Sequence, residues 1–171
     1  MHFCPCSVTN KRRLKYTIVL NVILFLLMVF RLSTSFFVLL NLRPPQFLQM
    51  LRFPRVWLWE YFWLLSGIST SFGIAAIRRN RLVLLHQYLI GQLIFGVLPT
   101  VFGIFDLFDD LLRFFETHET SKTLFGLPVV VLWNMFLAIS LQVQGFALYF
   151  AWTLRQAWKG RIELRKLKQM N

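Results

Sequence analysis

Acidic residues are scarce in this chain: seven Asp and Glu stand against nineteen Lys and Arg in 171 residues, a formal net charge of +12. Charged residues of both signs make up only 15%, against about 25% in an ordinary soluble domain. Cysteine is nearly missing too. Cys4 and Cys6 fall in one CPC run ahead of any apolar segment, so they cannot staple distant parts of the chain. No second Cys or His pair stands at metal-ligand spacing, and neither a metal nor a cofactor is expected. Two ordinary thiols are the plain reading of the pair, and palmitoylation beside a membrane entry is the functional alternative. His2, His86 and His118 form no cluster, and GxSxG, HExxH and HxxxxD motifs and paired intramembrane aspartates are all missing. No catalytic residue is assigned and no enzymatic function is expected. There is no N-x-[ST] sequon, no internal repeat and no Gly/Ser linker.

Hydrophobic residues reach 57% and aromatics 17%. A basic soluble chain would suggest nucleic acid, but this apolar content excludes that partner and points to the lipid bilayer. The expected fold class is all-α, a polytopic membrane protein with four transmembrane helices and both termini cytosolic. Residues 1–15 form a basic N-terminus, 16–154 the membrane domain and 155–171 a basic tail. The spans are expected at about 16–31, 56–77, 82–105 and 124–154, set against the roughly 20 residues needed to cross about 30 Å of hydrocarbon.

The first span is ambiguous because Arg31 interrupts it. Either the helix ends near Arg31 and the side chain snorkels to the interface, which is the preferred expectation, or it continues to about Leu40 and buries the arginine at a cost of several kcal/mol. A cleaved signal peptide after the KRRLK run is a third option, set behind an uncleaved signal-anchor.

Orientation follows from the basic residues. Lys11, Arg12, Arg13 and Lys15 precede the first span, Arg78, Arg79 and Arg81 fill the joint between spans two and three, and Arg155 to Lys168 carries six bases against Glu163. The third loop has five acids against Arg113 and Lys122, which fits the far side. The first loop, with Arg31, Arg43, Arg52 and Arg55, is basic as well and does not follow the rule. From Ile104 to about Glu116 the pattern is amphipathic, either lying on the lumenal surface or extending span three.

Several side chains invite a functional reading. Glu60 is the only acid within a span, a proton-relay candidate, yet Trp57, Trp59, Tyr61 and Trp63 around it suit anchoring at the headgroup boundary, which is the expectation. His86, Gln87 and Gln92 in span three, with Asn134, Gln142 and Gln144 in span four, either line a pathway or bond helix to helix. A small oligomeric transporter or channel using His86, Asn134 and Gln142 is the rival function. Ser66 with Thr70 and Ser69 with Gly73 have small-xxx-small spacing, a packing signal within one subunit or between two. Gly96, Pro99 and Gly103 suggest a bend in span three. The short joint at Arg78, Arg79 and Arg81 implies a tight hairpin among lipid headgroups.

The run WEYFWLLS from Trp59 through Glu60 and Tyr61 to Ser66, the pair Arg79 and Asn80, the LFG of Leu124, Phe125 and Gly126, and QVQ followed by LY (Gln142 to Gln144, Leu148 and Tyr149) resemble the Jagunal family in order and spacing. The resemblance covers about Trp59 to Trp158. It implies a four-span resident of the endoplasmic reticulum membrane that organises this organelle and supports vesicle-mediated transport in the early secretory pathway, acting as an adaptor rather than a catalyst. It further implies contact with a COPI-type vesicle coat and with cargo proteins. Lys166 and Lys168 are the candidate coat-binding residues, although they sit one position away from dilysine retrieval spacing.

Overall fold

The computed structural model describes residues 5–41, 43, 45, 56–117, 123–124 and 127–170. Cys4, Phe125 and Gly126 lie outside the described residues, as do the side chains of Cys6, Lys166 and Lys168.

The described residues form helices and one two-residue antiparallel ribbon. α1 runs Pro5–Leu39, α2 Leu58–Leu64, α3 Ser66–Arg79, α4 Leu82–Gly91, a π-helical stretch Gln92–Val97 leads into α5 at Leu98–Thr117, and α6 runs Val129–Met170. β1 (Thr123–Leu124) pairs with β2 (Leu127–Pro128) just ahead of α6. Among the described residues, three stretches are long and apolar enough to cross a membrane: Thr9–Ser33, Leu82–Glu116 and Val129–Gly160. The segment expected as the second span is divided at Leu65, whose φ of −64° and ψ of −17° remain right-handed helical. Leu65 N–H donates to Phe62 O and Ile68 N–H to Leu65 O, so α2 passes into α3 through a tightened turn.

α1 corrects the preferred expectation for the first span. It passes through Arg31 without a break and ends at Leu39, because Arg31 is not left to reach the interface alone: it meets a carboxylate inside the bundle. The amphipathic segment from Ile104 extends the third membrane stretch as part of α5.

The four helical segments form a ring: α1 packs on α3, α3 on α4, α4 and α5 on α6, and α6 on α1. The α3–α4 connection is a hairpin closed by Asn80 at φ 50°, ψ 37°, the left-handed conformation that Asn tolerates after a helix end. Where span three was expected to bend, the backbone widens into the π-helix, and Leu98 N–H donates to Leu93 O. Pro99, which follows directly, has no N–H for an ordinary helical bond to Phe95.

The interior is layered. At the basic end Leu14, Ile18, Ala76, Leu85, Tyr88, Ala147, Ala151, Leu154 and Trp158 form one apolar cluster. At the other end Leu24, Met28, Leu32, Trp59, Trp63, Leu107 and Leu137 form a second. Between them every segment contributes buried polar side chains: Asn21, then Ser66, Ser69 and Thr70, then Gln92 and Thr100, then Ser140 and Gln144. The outside carries Val19, Leu20, Ile23, Ile90, Leu93, Ile94, Met135, Ile139 and Phe146. Apolar groups outward and hydrogen-bonded polar groups inward is the arrangement a hydrocarbon solvent selects.

Candidate functional site

Two polar constellations occupy the interior. The first joins α1, α2 and α6. Arg31 Nε donates to Glu60 Oε2 at 2.8 Å and Nη2 to Glu60 Oε1 at 2.7 Å, with Glu60 fully buried and the arginine side chain 7% exposed. The guanidinium lies 3.9 Å from the centroid of the Trp133 ring, itself edge-on to Trp59 and Phe136. Glu60 Oε1 also accepts from the Trp57 backbone N–H at the start of α2. A bidentate fork, a backbone donor and an aromatic face together offset much of the cost of two buried charges.

Glu60 is thus enclosed within the protein and paired with Arg31, rather than standing as a lone acid among aromatic anchors. The aromatic group around it divides: Trp59 and Trp63 turn inward, while Trp57 and Tyr61 are exposed.

The second constellation is the mid-bundle polar layer. Asn21 Nδ2 donates to Thr70 Oγ1 at 3.1 Å and to Gln92 Oε1 at 3.3 Å, and Ser69 Oγ lies 3.2 Å from the same Gln92 oxygen. On the other side of the π-helix, Trp63 Nε1 donates to Thr100 Oγ1 at 3.0 Å, Thr100 Oγ1 lies 3.4 Å from Gln144 Oε1, and Gln144 Nε2 donates to Ser140 Oγ. Asn21 Oδ1 and Gln92 Nε2 are buried without partners.

Of the polar line proposed from the sequence, only Gln92 and Gln144 take part. His86, Gln87 and Gln142 are exposed, and the Asn134 amide donates to Val130 O of its own helix. The line His86, Asn134 and Gln142 does not form, because helix α6 turns Gln144, two residues from Gln142, toward the ring centre. Ser66, Ser69, Thr70 and Gly73 are all buried within this one chain, which places their packing inside the subunit. A Cβ on Gly73 would lie 2.8 Å from the Tyr88 ring and 3.1 Å from Ile18 Cδ1, so α3 and α4 approach closely only with glycine there.

At the basic end Lys11 Nζ donates to Asn80 Oδ1 at 2.8 Å, fastening the start of α1 to the hairpin, and Arg78, Arg79 and Arg81 are exposed. Tyr149 is exposed as well. Asn21 and Thr100 were not singled out from the sequence, and Arg31 was weighed there without its pairing to Glu60. The available signal was that one base and one acid each stood alone in otherwise apolar segments.

An apolar exterior, a ring of helical segments and a buried polar interior define a helical integral membrane protein. The family described as "Jagunal, ER re-organisation during oogenesis" matches residues 3–162, and the chain belongs to that family. It is 32% identical over 169 residues to Protein jagunal of Drosophila melanogaster, covering 95% of this chain and 85% of the relative. The Protein jagunal homolog of Caenorhabditis briggsae is 34% identical over 115 residues, covering 66% of this chain and 61% of the relative. Protein jagunal homolog 1 of Homo sapiens is 26% identical over 172 residues, covering 98% and 87%.

Proposed function

We propose that this chain resides in the endoplasmic reticulum membrane, crosses it four times with both termini in the cytosol, and acts there as a non-catalytic adaptor that organises the organelle and supports vesicle-mediated transport in the early secretory pathway. The observation that carries the reading is the family match, which runs through all four helical segments. Two features support it. Residues 58–79 are helical throughout apart from Leu65, about 33 Å at 1.5 Å per residue, enough for a fourth crossing. The buried polar groups are spent mostly on one another and hold helices together, as expected of a scaffold. Partners on this reading are cargo proteins and a COPI-type coat, the latter meeting Lys166 and Lys168 in the last turns of α6.

The deciding experiment is live-cell imaging of N-terminally tagged protein, intact and lacking Lys166 to Asn171, combined with cargo export after depletion. Reticular signal with slowed export is expected. Stable residence of the intact chain at another membrane, with export unchanged, would remove the proposal.

One observation favours a second reading, a small oligomeric transporter: Asn21 Oδ1 and Gln92 Nε2 are unpaired beside a π-helix, a geometry frequent at functional positions. Ion or solute flux into proteoliposomes decides it, and flux abolished by Gln92→Leu would put this reading first.

A further inference from the structure

The two ends of the bundle differ sharply in charge. Apart from Glu60, the acidic side chains whose placement is described are Asp106, Asp109, Asp110 and Glu116, all on α5 toward the end away from the hairpin. At the hairpin end, by contrast, three separate parts of the chain bring cations around one apolar plug. Lys11 reaches Asn80 between Arg79 and Arg81. Two residues further along α1, the Arg13 guanidinium lies 5.9 Å from the Phe150 ring of α6. One and a half turns beyond Phe150, Arg155 packs 5.1 Å from the Trp152 ring. Because α1 stands between α3 and α6 in the ring, these contacts make the cations an arc that continues from hairpin to α6. Beneath it lie Leu14, Ala76, Leu154 and Trp158.

The height of the arc identifies its surroundings. Tyr16, Tyr149 and Trp152 are exposed directly below it, and Val19, Leu20 and Ile23 follow on α1. Exposed aromatics between a charged rim and an apolar wall mark the headgroup level of a bilayer. Arg155 adds an observation of another kind: its Nε is buried and has no acceptor. No acid with a described side chain stands at this end, so the charge of this guanidinium is matched by the oxygens of a phosphate.

We propose that Lys11, Arg13, Arg79, Arg81, Arg155 and Lys159 form a binding surface for membrane lipids whose headgroup ends in a phosphate monoester, such as a phosphoinositide. A terminal phosphate offers three acceptor oxygens and more than one negative charge. It can thus engage cations from the hairpin, α1 and α6 together, whereas a serine headgroup brings its own ammonium into the same arc. The inference rests on the chain spanning a bilayer and not on any role in traffic.

The test uses the purified full chain in detergent and native mass spectrometry, offering dioleoyl phosphatidylinositol 4-phosphate, dioleoyl phosphatidylserine and dioleoyl phosphatidylcholine at equal concentration. Retention of the phosphoinositide at least about fivefold above the serine lipid is expected. That preference should fall to about parity, a loss of about fivefold, in Arg79→Gln with Arg81→Gln, and separately in Arg155→Gln with Lys159→Gln. Arg113→Gln, at the opposite end, should leave it unchanged. Two independent pairs on different helices keep the test open if one variant loses its helical circular dichroism. Equal retention of the serine lipid, indifference to both pairs, or displacement of the lipid by equimolar polyglutamate peptide would each overturn the proposal.

Discussion

Arg31 on α1 and Glu60 on α2 face each other with two hydrogen bonds of 2.8 and 2.7 Å, and the same guanidinium covers Trp133 of α6. Three helical segments that share no sequence neighbourhood are held by one contact. Removing half of it leaves a buried charge without its partner. Glu60→Gln is therefore expected to destabilise the folded chain by about 3–5 kcal/mol, read as a fall in the midpoint of tryptophan-monitored unfolding in micelles. The paired change Arg31→Met with Glu60→Leu should cost much less than the single one. A double variant no more stable than Glu60→Gln would show that the ion pair is not what fastens these segments.

The polar layer should behave as one unit. Gln92→Leu takes an acceptor from both Asn21 and Ser69, and a loss of about 0.6 to 1.7 kcal/mol is expected for interhelical bonds of this kind. Asn21→Leu made together with Gln92→Leu should cost less than the two losses added. Strict additivity in a double-mutant cycle would argue that the two amides do not interact.

How much of this was legible in the sequence depends on what each residue's signal refers to. The apolar stretches, the tight hairpin after Arg79 and the unusual backbone near Gly96 and Pro99 follow from local rules, and the structure has helices, a one-residue left-handed turn and a π-helix at those places. The inward positions did not follow. Gln142 and Gln144 carry the same side chain two residues apart, and only the rotation of α6 against its neighbours decides that Gln144 is buried. Arg31 was misjudged for a related reason: a lone charge in an apolar run implies snorkelling unless its counter-charge is known to be adjacent, and Glu60 is 29 residues away.

Close helix approach gives a third prediction. A methyl group at position 73 would press on Tyr88 at 2.8 Å, so Gly73→Ala is expected to lower stability by about 1–3 kcal/mol through overpacking. Combining it with Tyr88→Leu should recover part of the loss. Thermal midpoints of the two single variants and the double variant supply the check. An unchanged midpoint for Gly73→Ala would mean that α3 and α4 are further apart than described.

The four-span proposal makes a topological prediction. In a Cys4→Ser, Cys6→Ser background, Arg79→Cys should react with a membrane-impermeant maleimide once digitonin has opened the plasma membrane. Asp109→Cys, on the far part of α5, should react only after the reticulum membrane is dissolved. Simultaneous labelling of both positions under digitonin would place the hairpin and the end of α5 on one side and defeat the topology.

α6 is continuous from Val129 to Met170, 42 residues, or about 63 Å at 1.5 Å per residue, roughly twice the thickness of a hydrocarbon core. Near one end Trp133 lies against Arg31, and further along Ala147, Ala151, Leu154 and Trp158 are packed into the apolar cluster at the basic end. A stiff rod gripped at two levels is a spine rather than a tether, so a sideways pull on the turns beyond Trp158 is borne first by the cluster around Leu14, Leu85 and Tyr88.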